Sequence, residues 1–557
     1  MKKNILFIIL MIFSVSLAIT GQAFATDYYV NSSSEGGCDG LSDAITEDGS
    51  GHCAFETIAE VNASSPAGDD AVLFNKGQVW YEKLIPPTNG TDGHQITYGA
   101  YGTGAKPIIS GATVGAPTTP ARNNCVQLGD DGYAATRYYL TFDGLEFAYP
   151  TEYGINQIKD SDTPGVIVQN CTFTKCGIRL EGANALIQDN IFNGPTALAT
   201  GEAINLKYET CTSPQILRNT ISTYVSRGIW IQTGVDSPTV NYNTITTITG
   251  GEGYGVDFDG YAKLITGHVE AIGNVITGVT GGNAGWGIYC ENKHGSSQVS
   301  YNVISNCTSS GAPSSDTGAG IYYLSYSEGT YYADQRGVNV NGIITNNIIY
   351  DCNRGIGTQD TAGLDIWNNT IDDGVSQTPK GVALGGSVAA YATDIDIRNN
   401  IFGSGFSYVV SLPEDSWEDS IVAFDYNRFE DITVINERGG DDHSLAILQG
   451  ESKALNCFTT APGFTDDGGN NYTLASDDSP CIGAGADLGN GLLYGLDPTS
   501  SWPDNVKPID QDSYGDWEIG AYVYIEAAEL GGPGTIAGGG SGSIAGGGSG
   551  SIIGTAP

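Results

Sequence analysis

The chain has 557 residues, 40% of them hydrophobic, with 63 acidic residues against 23 basic and a formal net charge of −40. That apolar content, spread over regular strand-like segments, excludes disorder driven by charge. So negative a chain argues against nucleic acid and anionic membrane as partners, and it opposes a polyanionic glycan unless a basic patch or bound Ca²⁺ reverses the field locally.

Met1 to Ala25 reads as a secretory signal, with Lys2 and Lys3 as the basic end, an apolar run from Ile5 to Ala18, and Ala23-Phe24-Ala25 as a small-residue cleavage site. The run is short for a membrane anchor. The mature protein is therefore expected to be exported, either secreted, at the cell surface or periplasmic, with no membrane insertion once the signal is removed. Eleven cysteines in an exported chain predict some disulfides. Cys38 and Cys53 bracket a Gly/Asp/Ser-rich loop and are expected to pair, and Cys457 and Cys481 to pin the far end in the same way. Cys171, Cys290, Cys307 and Cys352 lie in or beside apolar phrases, where free thiols serve as small apolar residues. No Cys-x-x-Cys pair occurs and the five histidines are scattered, so a zinc site has little support.

Tyr28-Tyr29-Val30 starts a strand, and Phe55 to Val61 carries apolar residues at helical spacing. Strand-like runs follow at Ala71 to Phe74, Ile96 to Tyr101 and Pro107 to Gly111. From Asn170 to Asn427 one phrase returns at irregular intervals: Asn, any residue, then Ile or Phe, as in Asn190-Ile191-Phe192, Asn243-Thr244-Ile245, Asn302-Val303-Ile304 and Asn400-Ile401-Phe402. Asn170-Cys171-Thr172-Phe173 is one residue longer. A second phrase, Gly or Ala leading an alternating strand, follows each of the first eight: Gly177-Ile178-Arg179-Leu180-Glu181, Gly228-Ile229-Trp230-Ile231-Gln232 and Gly255-Val256-Asp257-Phe258-Asp259 are examples. Alternation sends its second and fourth residues to one face, and these are almost all apolar. Two or more strands per repeat, joined by turns too short for a crossover helix, wind as a solenoid. The asparagines are expected to face outward and to hydrogen-bond from coil to coil as stacked side chains.

These repeats resemble the right-handed parallel β-helix proteins of the pectate-lyase-like superfold. The resemblance implies an all-β solenoid: residues 26–115 as an N-terminal helical cap and first coils, 116–435 as the core, and 436–527 as a C-terminal capping segment. Ser479 to Gly485 and Asp516 to Tyr522 resemble the closing segment of such helices. Residues 528–557, a Gly/Ser-rich near-repeat, read as a flexible tail. The longest interval holds a loop over 306–340 with Tyr322, Tyr323, Tyr326, Tyr331 and Tyr332, which either stack on sugar rings or pack the loop down.

If the Gly-led phrases stack in register, their third and fifth residues form two outward columns. The first runs Arg179, Asn205, Trp230, Asp257, Tyr289, Tyr322, Gly357, Ala383; the second runs Glu181, Lys207, Gln232, Asp259, Glu291, Leu324, Gln359, Gly385. Charge and aromatic character concentrate on the early coils, a patch of roughly 20 Å at ~4.8 Å per coil. The resemblance places the active site of many carbohydrate-active β-helix enzymes on this face, and implies an extracellular polysaccharide as partner and a monomer. As a polysaccharide lyase, the first reading, Lys207 or Arg179 is the base, with Asp257, Asp259 and Glu291 as oxygen ligands for a Ca²⁺ cofactor and Trp230, Tyr289 and Tyr322 as sugar-binding residues. The alternatives are a salt bridge from Lys207 to Glu181 and a solvated acidic face. As a glycoside hydrolase, Asp257 and Asp259, ~6.7 Å apart along one strand, flank the bond as acid and base. The Asn-Thr-Asp, Gly-His-Gly and Arg-Ile-Lys motifs of β-helix polygalacturonases and the Asp-Pro-His of alginate epimerases are absent. A non-catalytic surface adhesin is the third reading.

Overall fold

The computed structural model describes residues 25–129, 136–158, 165–194, 201–207, 211–260, 265–291, 295–309, 318–325, 338–372, 379–385, 393–412, 420–429, 433–437, 442–489 and 494–525. Residues 1–24 of the expected export signal, the Gly/Ser tail, and Tyr326, Tyr331 and Tyr332 lie outside them.

Each coil supplies three short strands, and strands of successive coils pair in parallel. One sheet stacks fourteen of them, from Asp27–Val30 through Leu140–Asp143, Gln215–Leu217 and Ser297–Ser300 to Ile421–Asp425. The Asn-led phrases form a second ladder, including Thr172–Thr174, Ile191–Asn193 and Thr220–Tyr224. The Gly-led phrases form a third, including Gly177–Leu180, Glu202–Leu206 and Arg227–Ile231. In two coils the last two ladders run on as single long strands, Thr244–Asp259 and Val275–Glu291. Among the described residues no helix is long and apolar enough to cross a membrane.

The asparagines face inward, correcting the outward placement expected from the sequence. Asn219, Asn243, Asn274, Asn302, Asn347, Asn369, Asn400 and Asn427 are fully buried or nearly so. Each Oδ1 accepts the backbone N–H of the asparagine one coil earlier, as from Asn274 N to Asn302 Oδ1 at 2.9 Å, and each Nδ2 donates to a carbonyl of the first sheet, as from Asn302 to Ala271 at 2.9 Å. The corner between two sheets leaves these backbone groups without strand partners, and the buried amide satisfies them. The residue before each asparagine takes left-handed backbone, φ 58° at Tyr301 and 55° at Asn346. Asn170 occupies that left-handed position (φ 53°), so the ladder begins one residue later, with Cys171 N donating to Asn190 Oδ1 at 2.8 Å. It ends with Asn427 N on Cys457 Sγ at 3.3 Å.

The two phrases recur together because they interlock. A Cβ at Gly255 would lie 2.6 Å from Ile276 Cγ2 and 2.5 Å from Gly287 O, and one at Gly320 would lie 2.4 Å from Ile349 Cγ2. The Ile of one coil's Asn phrase thus fills the room left by the glycine of the coil before. The same inward position holds stacked rings at the early coils, with Phe173 and Phe192 at 4.5 Å.

Near the first coils a short helix, Ile58–Ala63, starts with a capping box of Thr57 and Glu60 and buries Ile58 and Val61 in the main core. Cys38 and Cys53 form the expected disulfide, Cα–Cα 5.2 Å. Cys457 and Cys481 do not pair: both are buried free thiols, Cys457 in the main core and Cys481 in a cluster with Ile401, Leu474 and Ile519. Cys171, Cys290, Cys307 and Cys352 are buried free thiols, as expected. After the last coil, Leu445–Gly450 is helical with Leu448 in the core. The residues beyond it fold back along the Asn-ladder corner of earlier coils. Asn346 Nδ2 donates to Tyr494 O at 2.9 Å, Trp502 Nε1 to Tyr301 O at 2.7 Å, and Gly520 N to Asn399 O at 2.7 Å.

Candidate active site

The first expected column forms in register, and the second does so from Asp259 to Gly385. Arg179 pairs with Asn205, Asn205 with Trp230, Trp230 with Asp257, Asp257 with Tyr289, Tyr289 with Tyr322 and Tyr322 with Gly357; Asp259 stands opposite Glu291. A third column was missed, that of the residue just before each glycine or alanine: Glu202, Arg227, Tyr254 and Trp286 are paired neighbours on successive coils. Its signal lay one position ahead of the phrase, where four consecutive coils carry a large polar or aromatic residue.

Arg227 centres the site. Its Nε donates to Asp257 Oδ2 at 2.5 Å, and its guanidinium carbon lies 4.2 Å from the Trp230 ring and 4.6 Å from that of Tyr254. Trp230 Nε1 donates to Asp259 Oδ2 at 3.0 Å, and Tyr254 OH to Glu252 Oε2 at 2.9 Å. On the earlier coils, Tyr153 OH and Asn205 Nδ2 both donate to Glu202 Oε1 at 3.0 Å, and Gln232 Nε2 donates to Asn205 Oδ1 at 2.7 Å. On the later side stands an aromatic wall. Trp286 packs on Tyr254 at 4.8 Å and on Tyr289 at 4.9 Å, and Tyr289 stacks on Tyr322 at 5.8 Å. The Tyr322 ring fills the space above Gly357, where a Cβ would meet it at 2.5 Å.

Burial dominates the electrostatics. It pushes the Asp257 carboxyl up to about 7, the Arg227 charge opposing and Asp259 adding to the rise. It pushes Glu291 up to about 8, with the charges of Asp259 and Asp257 adding. Glu202 is raised by burial as well.

Several expected roles change. Arg179 donates from an Nη to Glu181 Oε1 at 2.6 Å, an ion pair made within one phrase. Its guanidinium is thus engaged by a buried carboxylate. Asp257 is 1% exposed and bonded to Arg227, which removes it from direct contact with a substrate. Tyr289 is 7% exposed and serves as the backing of the aromatic wall, leaving Trp230 and Tyr322 as the partly exposed rings. The proposed Ca²⁺ ligands do not converge: the carboxylate oxygens of Asp257, Asp259 and Glu291 do not all come within 4.8 Å of one another. Arg227 already holds one oxygen of the set, so these residues do not fit a Ca²⁺ cage. Among the described residues the one triad close enough is Glu35, Cys38 and Cys53, and its sulfurs are joined in the disulfide.

Residues 153–332, which contain this site, match a family model described as "Right handed beta helix region". No curated protein matches the chain. Among solved structures, the chain is similar to a GH136 lacto-N-biosidase from Eubacterium ramulus, with 16% identity and a TM-score of 0.37 over 75% of this chain and 66% of that one, just under two thirds of its length. It is similar to XylC in complex with xylose at 13% identity and a TM-score of 0.37, over 74% and 84% of the two chains. It is also similar to pectate lyase Pel9A at 13% identity and a TM-score of 0.31, over 90% and 97%. Identity that low carries no chemistry from one chain to another. The parallel coils, with the family model over residues 153–332, give the chain the fold of a right-handed parallel β-helix.

Proposed function

We propose that the protein is an exported glycoside hydrolase acting on an extracellular polysaccharide of neutral sugars. The observation that carries this reading is the pair Asp259 and Glu291, directly opposite on adjacent strands, both partly exposed, with Asp259 fixed by Trp230 Nε1. Adjacent strands are ~4.8 Å apart, nearer the ~5–5.5 Å of retaining enzymes than the ~6.5–9.5 Å of inverting ones. Glu291, held protonated at neutral pH, gives its proton to the glycosidic oxygen as that bond breaks. Asp259 attacks the anomeric carbon. Water then displaces Asp259, losing its proton to the Glu291 carboxylate. Trp230 and Tyr322 supply ring faces at the margin of the site.

The lyase reading falls second on charge. Arg179 and Arg227 are engaged by Glu181 and Asp257, and the carboxylates of Asp259 and Glu252 beside them oppose a uronate. Lys207 stands two coils from Asp259, roughly 10 Å away.

The test is a screen of the purified mature protein on neutral and acidic polysaccharides. Expected are new reducing ends on a neutral glycan, retention of anomeric configuration by proton NMR, and no ultraviolet absorbance from unsaturated uronates. Such absorbance would return the lyase to first place. Binding without turnover would leave a glycan-binding adhesin.

A further inference from the structure

The site contains a cation of its own. The Arg227 guanidinium is held between two rings, at 4.2 Å and 4.6 Å, and tied to a carboxylate that is itself 1% exposed. Its Nη1 also donates to Ser226 Oγ at 3.0 Å. Its charge acts on Asp257, Glu202 and Glu291 together, and Asp259 acts on it in turn. The other oxygen of Asp257, Oδ1, is buried with no hydrogen-bond partner. Among the described residues Arg227 is the cation bonded to this carboxyl.

We propose that Arg227 is the resident cation of this cluster, a positioning residue that takes the place of a divalent metal and gathers the carboxyls of Asp257, Asp259 and Glu291 around itself. A planar guanidinium suits the task because it stacks on Trp230 and Tyr254 with its faces while its edge meets Asp257. Without it, Asp257 would have both oxygens buried and no bonded counter-charge among the described residues, next to two more acidic side chains. That is a set of hard oxygen donors, and a small oxygen-seeking cation is the ligand it would take. Metal binding tests this apart from any catalytic activity.

The experiment is Tb³⁺ titration, with luminescence excited through the neighbouring Trp230 and Tyr254, on wild type, Arg227→Met, Arg227→Lys and the double variant Arg227→Met/Asp257→Asn. The surface of so acidic a protein gives a background, and the double variant measures it. Arg227→Met should bind Tb³⁺ at least about tenfold more tightly than wild type. The double variant should lose that gain, and Arg227→Lys should behave as wild type. A folded Arg227→Met with no gain over wild type overturns the proposal. A second measurement does without Arg227→Met, in case that variant does not fold: the wild-type melting temperature should be the same with Ca²⁺ as with chelator. A Ca²⁺-dependent rise that Asp257→Asn abolishes would show a metal in the cluster and overturn the proposal.

Discussion

Glu291 and Asp257 show how one coil face assigns different work to like side chains. Glu291 is partly exposed and raised to about 8, so it carries a proton at neutral pH and loses it as pH rises. Hydrolysis should therefore fall away above about pH 8, and Glu291→Gln should lower kcat by about 10²–10⁴-fold with little change in fold, read by reducing-end assays and circular dichroism. Asp257→Asn should act on stability, because it leaves the Arg227 guanidinium, 20% exposed, without its carboxylate. A loss of about 3–5 kcal/mol in denaturant unfolding is the expected scale for breaking such a pair. Alternation along Gly255 to Asp259 was enough to read both aspartates as outward-facing from sequence. It could not show which of them is buried, because burial outside a coil depends on side chains from neighbouring coils, here Arg227 and Tyr254.

At the scale of the element, the coil rests on two devices that meet at one corner. The Asn ladder closes the backbone hydrogen bonds where the chain leaves the first sheet, and the glycine of the preceding coil admits the Ile two residues after each asparagine. Asn302→Ala removes an acceptor from Asn274 N and Nδ2 and a donor from Ala271 O and Asn347 Oδ1. With about 1–3 kcal/mol for each buried group left unpaired, unfolding in guanidinium should show a loss of several kcal/mol; no change would mean that water replaces the amide. Gly320→Ala should cost about 1–3 kcal/mol by overpacking against Ile349. Both phrases stood out in the sequence, and their stacking order followed directly from them. The direction of the asparagines did not. Counting by twos from the Ile or Phe puts each asparagine on the same inward face, where it lies; the outward placement came from reading a polar amide as a surface side chain, since the backbone groups it satisfies appear only once the corner is built. The Gly-led count had a blind spot of its own: starting at the glycine hid Glu202, Arg227, Tyr254 and Trp286, which sit just before the interlocking residue.

For the whole molecule, charge and burial act in the same direction with pH. Asp257, Glu291, Glu518 and Asp365 are raised to about 7, 8, 7 and 6, burial being the first cause at each. A carboxyl whose pKa is higher folded than unfolded binds more protons in the native state between those two values. Native stability then falls as pH rises through that window, from about 4 to about 8, and is fully recovered below it. Self-repulsion at a formal charge of −40 adds to the same slope, since protonation relieves it. Working against both are carboxylates held below their usual range by hydrogen bonds, such as Glu60, which accepts from Gly37, Glu56 and Thr57; these lose their contribution only as pH falls through their own lowered values. The melting temperature should therefore peak near pH 5 and be lower by a few degrees at pH 8. Scanning calorimetry across pH 4–9 at fixed ionic strength measures it. Glu291→Gln should flatten the upper part of the slope, and added salt should flatten the part due to net charge while leaving that due to burial. A stability maximum at neutral pH that Glu291→Gln leaves unmoved would place these buried carboxyls in their ordinary range, and with it remove Glu291 as the proton donor.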